Sequence, residues 1–399
     1  MRFVALCLAL LLSACAAAHF PPVGADDPAS AFYAEFCALS QIKKIPGFGA
    51  DIRGDIGGHS IFYLQGACLD REAHYPVLVL CEQGGAGLSV NEHFQNTKWV
   101  ATPGHDLFFD GNLPPSAPLT QAAYRTVERQ ARAAGVYDGV AFHERYFANK
   151  PADWSREDWQ YEISIGTDYA VGLARGRYCA RVPVDRAAMR RMIAFLNAEN
   201  APYRAGATFR WNIFTDNCIH LAHNALAAAG LWEPWRTHRS LLVSIFDFPV
   251  PRNEFVNFMR RTNDEIPPDP DSIDPVARAA LLDSGLLPAR PGALAISRPV
   301  HAPNDVYETD DLKLIFYDDP LFGSYYGWFD AIFAQPRYTD AHANRAYFAA
   351  VGRAALARRK PSPAGLSDAD RQVYDDYYRL MARWANSDRQ SLAALIHPW

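Results

Sequence analysis

Hydrophobic and polar positions fall into different textures along the chain. His59–Leu64 (HSIFYL) and Val77–Cys81 (VLVLC) are short runs rich in β-branched and aromatic residues, separated by a polar turn. They predict neighbouring strands, the second closed by Gly84–Gly87. Glu162–Ile165, Ala170–Leu173 and Tyr178–Val182 are further strand candidates. Met189, Met192, Ile193 and Leu196 recur at helical spacing, which predicts a helix over Asp185–Asn197. Ser30–Gln41 and Leu119–Ala134 also read as helices. Trp211–Phe214 leads into another, from about Cys218 to Ala229, with Gly230 as its stop. Beyond Trp235, Pro249–Pro270 and Pro288–Asn304 read as proline-bearing connectors. Pro275–Leu282, Ala341–Arg358 and Asp368–Trp384 read as helices among and after them. The expected layout is a tether and first helix over 15–44, an α+β domain over 45–240, and a mostly helical region over 241–399.

The first residues, MRFVALCLALLLSAC, change that picture. Arg2 is followed by a ten-residue apolar run, Phe3–Leu12, too short to span a bilayer as a mature helix. Leu12-Ser13-Ala14-Cys15 resembles the lipobox of bacterial lipoprotein signals. The resemblance implies removal of residues 1–14, diacylation of Cys15 and a membrane anchor. Ala16 in place of Asp implies the outer membrane, facing the periplasm. Ordinary secretion, with cleavage after Ala16-Ala17-Ala18, is the alternative. His19–Ser30 then serves as a tether. No later stretch approaches eighteen uninterrupted apolar residues.

With 39 basic against 44 acidic residues, nothing points to nucleic acid. Aromatic residues reach 13 % and gather in WNIF, LIFYDD and SYYGWF, as in a well-packed core or an apolar or sugar-binding cleft. Beyond Cys7 and Cys15, the cysteines are Cys37, Cys68, Cys81, Cys179 and Cys218. Five is odd for an oxidising compartment, so pairing of four leaves one free thiol. Local context selects Cys218.

That context is Thr215-Asp216-Asn217-Cys218-Ile219-His220-Leu221. A cap at Thr215, Asp216 or Asn217 places Cys218 in the first turn of a helix. There the helix dipole favours a thiolate, and unpaired backbone N–H groups can hold an oxyanion. Gly57-Gly58-His59 opens a strand and offers an imidazole as general base. The bland alternatives are a buried or disulfide-bonded Cys218 and a capping or surface His59.

Gly-His opening a strand, followed far downstream by Asn-Cys opening a helix, resembles the circularly permuted papain-like fold of NlpC-type peptidases and lecithin retinol acyltransferase relatives. Within that group the chain is most similar to the periplasmic domain of Lnb-type lipoprotein N-acyltransferases. GGHSIFYL, RYCARVPVDRAAMRRMIAFLN and YRAGATFRWNIFTDNCIHLAHNAL carry the likeness, over roughly residues 45–235. It implies Cys218 as nucleophile, His59 as base and a third polar group from the following strand. Glu82 is the choice for that group, with Gln83, His74 and Asp70 as alternatives. Asn217 is expected to cap the helix or support the oxyanion.

The implied chemistry is hydrolysis or acyl transfer through a thioester, on a peptidoglycan peptide, a lipoprotein or a phospholipid, with no metal and no cofactor. A non-catalytic envelope scaffold or binding module is the main rival. A weaker alternative is a metal-dependent hydrolase using His59, His220 and His223, of which the last two are three apart on one helix but lack a His-Glu-x-x-His pattern. Asp310-Asp311 and Asp318-Asp319 read as surface charge.

Overall fold

The computed structural model describes residues 32–52, 58–114, 117–173, 175–232, 234–235, 237, 250–263, 270, 292–298, 301, 303–309, 318, 323–359 and 361–386. It is a mixed α and β structure built on one six-stranded antiparallel sheet. The strands are β1 (Tyr33–Leu39), β2 (His59–Leu69), β3 (Leu78–Ser89), β4 (Val100–Pro103), β5 (Arg177–Pro183) and β6 (Leu294–Arg298). Their order across the sheet is β4-β3-β2-β1-β5-β6.

β1 lies at the centre, and all seven of its residues are buried. The sequence predicts a helix over Ser30–Gln41, and the structure corrects this. A strand covered on both faces has no reason to alternate apolar with polar residues, so a run that is apolar but for Glu35 imitates a buried helix. Tertiary pairing decides the matter: Tyr33–Leu39 pairs with Gln65–His59 on one side and Pro183–Arg177 on the other.

The two faces of the sheet carry different helices. Ala34, Phe36, Phe62, Leu64, Ala180 and Val182 point into the main core. That core also takes Met189, Met192 and Leu196 of α4 (Arg186–Arg204), and Leu221, Ala222 and Ala225 of α5 (Cys218–Ala228). Phe255 and Met259 of α6 (Pro251–Asn263) join them. Tyr33, Cys37, Leu39, Ile61, Tyr63 and Cys179 point the other way, against Phe108 and Phe109 of α1 (His105–Asp110) and Val171. β3 runs through its glycines instead of ending at them. The Phe108 ring lies so close to Gly87 that an added Cβ would meet it at 2.0 Å.

Other expectations also change. Glu162 belongs to a helix, α3 (Arg156–Ser164), and 170–173 forms no strand. The connector expected over Pro249–Pro270 contains α6, with Pro251 at its first position, where a missing N–H costs nothing. Pro288–Asn304 contains β6, which pairs with β5. The boundary expected near residue 240 therefore does not separate two cores, because residues beyond it complete the first. The helix expected over Pro275–Leu282 lies outside the described residues. Farther on, α7 (Tyr325–Ala334) is followed by α8 (Pro336–Thr339), α9 (Ala341–Ala357) and α10 (Asp368–Asn386). Phe348 of α9 packs against Tyr377, Met381 and Trp384 of α10 as a smaller cluster. No described helix is long and apolar enough to cross a membrane.

Two disulfides close the fold, Cys37–Cys179 and Cys68–Cys81. They indicate an oxidising, extracytoplasmic environment. The first joins β1 to β5 across 142 residues of chain, the second spans 13. Chain-entropy reasoning assigns about 5 kcal/mol to the longer loop and about 3 kcal/mol to the shorter. Replacing Cys37 and Cys179 together by Ala is therefore expected to lower the melting temperature more than replacing Cys68 and Cys81. Thermal unfolding followed by circular dichroism reads this, and the reverse order would contradict it.

Candidate thiol site and the surroundings of His59

Cys218 is the one cysteine among the described residues that is not in a disulfide, and it is partly exposed. It opens α5, and Asn217 is the cap. Asn217 Oδ1 accepts from the backbone N–H of Ile219 at 2.9 Å and of His220 at 3.3 Å, while Nδ2 donates to the Ile213 carbonyl at 2.6 Å. The Asn217 side chain is thus committed to capping, and two first-turn amides are spent on it.

The approach to the helix is equally fixed. Asn212 and Asp216 exchange backbone hydrogen bonds, both 3.0 Å. Asn212 Oδ1 accepts from the amides of Phe214 and Thr215. This tight turn leaves Ile213 42 % exposed, next to half-buried Phe214. Lys98 anchors the turn through Asp216 at 2.7 Å and also holds Glu199 at 2.5 Å. Burial acts to lower the Lys98 pKa, but the two carboxylates outweigh it and the ammonium stays charged.

The far end of α5 is held by Arg191, whose guanidinium donates to the carbonyls of Ala228 and Ala229, both at 2.9 Å. On the outer side, His223 Nδ1 lies 2.6 Å from Glu254 Oε1 of α6, and its ring stacks on Trp235 at 3.9 Å. His220 Nδ1 lies 3.0 Å from Asn217 Oδ1. The two α5 histidines of the metal alternative are therefore turned to separate partners. Among the described residues, one trio has metal-ligand proximity, Glu35 with Cys37 and Cys179, and both thiols are in the disulfide.

His59 is not where the resemblance leads one to expect it. Side chains alternate along β2, so His59 shares a face with Ile61 and Tyr63. That face is covered by α1. The helix carrying Cys218 packs with Phe62 and Leu64 on the opposite face. His59 is only 4 % exposed, and its Nε2 lies 3.1 Å from Ser89 Oγ. Ser89 Oγ is in turn 2.7 Å from Asp168 Oδ1. Asp168 also accepts from Tyr137 Oη at 2.9 Å and from Asn91 Nδ2 at 3.3 Å.

The proton order in this chain opposes catalysis. Burial raises the Asp168 pKa to about 6, against the pull of its donors Ser89, Tyr137 and Asn91. Above that pH the carboxylate accepts a hydrogen bond from the Ser89 hydroxyl, and Ser89 Oγ can then only accept from His59. Burial, with the Arg175 charge adding to it, pushes His59 down to about 3. The result is a neutral, enclosed imidazole that ties β2 and β3 to the 164–173 segment.

Glu82 is also corrected. It forms a two-pronged ion pair with Arg186 at 2.5 and 2.8 Å on the surface. Six strand residues separate it from Ser89, on the order of 20 Å along β3. Asp70 caps a short 3-10 helix through the Glu72 amide, and His74 follows that helix. Both lie past the far end of β2, and Gln83 is exposed. The residue that meets His59 is Ser89, which the sequence does not single out. A serine after a Gly-rich strand carries no signal of its own, and its partner Asp168 comes from a distant loop.

No family model, curated protein or solved structure matches the chain.

His59 bears on acid stability. Its folded pKa lies below the unfolded value of about 6.5, so the unfolded chain binds the proton first. Its contribution is present above pH 6.5 and is lost as pH falls toward 3. His59→Gln, which cannot protonate, should make the loss of stability over that window shallower. Urea midpoints measured against pH test this, and an unchanged slope would mean that His59 is charged in the fold.

Proposed function

We propose that this chain is an extracytoplasmic thiol enzyme, a hydrolase or acyltransferase of amides or esters, with Cys218 as nucleophile. The observation that carries the reading is a partly exposed thiol at the first position of a capped helix, outside the two disulfides that take up the other four described cysteines. A helix N-terminus favours the thiolate, which attacks a carbonyl to give a thioester and expels the alcohol or amine. Water or an amine then resolves the thioester. Exposed Ile213 beside half-buried Phe214 provides an apolar lip suited to an acyl chain or a lipid surface. Lipidation at Cys15 would hold that lip near a membrane and put lipoproteins, phospholipids and wall peptides within reach.

The permuted papain-like architecture draws support from the order of elements: a strand opened by Gly-His, then a helix opened by Asn-Cys and packed on that strand. The face that His59 takes counts against a Cys218–His59 dyad. It favours a second reading, an envelope scaffold that carries the elements of such a fold without its base.

Labelling separates the two readings. Under the enzyme reading, iodoacetamide should modify Cys218 in the native protein several-fold faster than an unstructured cysteine peptide at neutral pH. His59→Gln should leave that rate unchanged. A rate no greater than the peptide's would remove the nucleophile and leave the scaffold.

A further inference from the structure

Away from the thiol, the surface helix α2 (Gln121–Ala133) and the segment 153–158 enclose a groove of about 520 Å3. Arg125, Glu128, Arg129 and Arg132 line one wall, and Asp153, Trp154 and Asp158 the other. Most of these charges are already matched. Arg132 pairs with Asp158 at 2.5 Å. Arg125 reaches Glu128 at 2.6 Å and Glu162 at 2.5 Å. Glu162 lies behind the wall, fully buried, bound to Lys44 and to the Ala50 amide at 2.7 Å. Two charged side chains of the lining make no ion pair. Among the described residues Arg129 has only Thr126 Oγ1 as a side-chain partner, at 2.8 Å, and Asp153 has no ion-pair partner.

We propose that this groove binds a short peptide by its two ends, the terminal carboxylate on Arg129 and the terminal ammonium on Asp153. The volume suits a few small residues, and Trp154 adds an apolar surface to the lining. The guanidinium fork matches a carboxylate in two-pronged geometry. Arg125 is held in place by the Lys44–Glu162 pair and by the faces of Phe48 and Tyr124, at 4.8 and 5.1 Å. The wall is therefore preorganised before a ligand arrives.

Glu128 controls the charge of the carboxylate end. It faces Arg125 and Tyr124 of its own helix, Glu162 of α3, Lys44, Tyr169 and Tyr307. Burial raises its pKa, and a hydrogen bond shared with ionised Glu162 raises it further. Glu128 is thus neutral at pH values where an ordinary surface glutamate is charged, and a neutral neighbour admits a carboxylate that an ionised one would repel. This site is independent of Cys218.

Calorimetric titration of the full chain with tetra-alanine tests the proposal. Binding is expected, weakened about tenfold or more by C-terminal amidation of the peptide or by Arg129→Ala. Amidation should cost nothing further in the Arg129→Ala protein. N-terminal acetylation and Asp153→Asn should behave as a second such pair. Glu128→Gln should hold its affinity better than wild type between about pH 6 and about pH 9. The peptide amine titrates equally in both proteins, so the difference belongs to Glu128. No binding of tetra-alanine, or equal affinity for the amidated peptide, would overturn the proposal.

Discussion

Burial of β1 on both faces is the constraint on which the rest of the structure depends. Its two neighbours in the sheet both follow it in the chain, β2 directly and β5 some 140 residues later, across the 142-residue span of the Cys37–Cys179 bond. A central strand must be covered above and below, because each exposed apolar side chain would forgo on the order of 1.5–3 kcal/mol. α4, α5 and α6 cover one face, and α1 with the loop around Val171 covers the other. Arg181 and Glu35 form a buried ion pair inside the sheet. They meet at 2.7 Å, each nearly fully buried, and the guanidinium lies over Tyr33 at 4.3 Å. Breaking such a pair leaves an uncompensated buried charge, so it fixes the register of β1 against β5.

Local pattern made much of this legible. The helices over 121–133, 186–204, 218–228, 341–357 and 368–386 follow the periodicity and caps visible in the chain. So do the starts of β2 and β3. The odd cysteine count, read with the Asn-Cys context, also picked out the thiol that stands apart from the disulfides. Illegible were the elements whose identity is settled by distant partners. YAEFCAL becomes a strand only because β2 and β5 flank it. Glu162 joins a helix because Ser155 caps one at Asp158 and Lys44 receives its carboxylate. β6 sits within a segment whose prolines suggested a connector, yet the sheet edge beside β5 gave it hydrogen bonds to make.

The charged wall of α2 could have been found earlier. Arg125, Glu128, Arg129 and Arg132 recur at i, i+3, i+4 and i+7, one face of a helix. A solvated face is the default for such a stripe. What changes the reading is Glu162, which the same spacing cannot reveal because it arrives from another helix. A second carboxylate behind Glu128 turns an ordinary surface acid into one that keeps its proton.

The thiol and the histidine show why motif order alone does not make a site. Asn-Cys and Gly-His each do locally what their residues dictate: asparagine caps a helix, and glycine lets a strand begin. Whether the two side chains meet depends on strand parity, since a shift of one residue moves a side chain to the other face. In β2 the residue on the α5 side is Ser60, and its neighbour His59 faces Ser89. Under the proposed enzyme reading, chemistry at Cys218 would therefore draw its activation from the helix terminus and its immediate surroundings. The imidazole on the opposite face serves the fold, linking strand ends to the Asp168 loop through one hydroxyl.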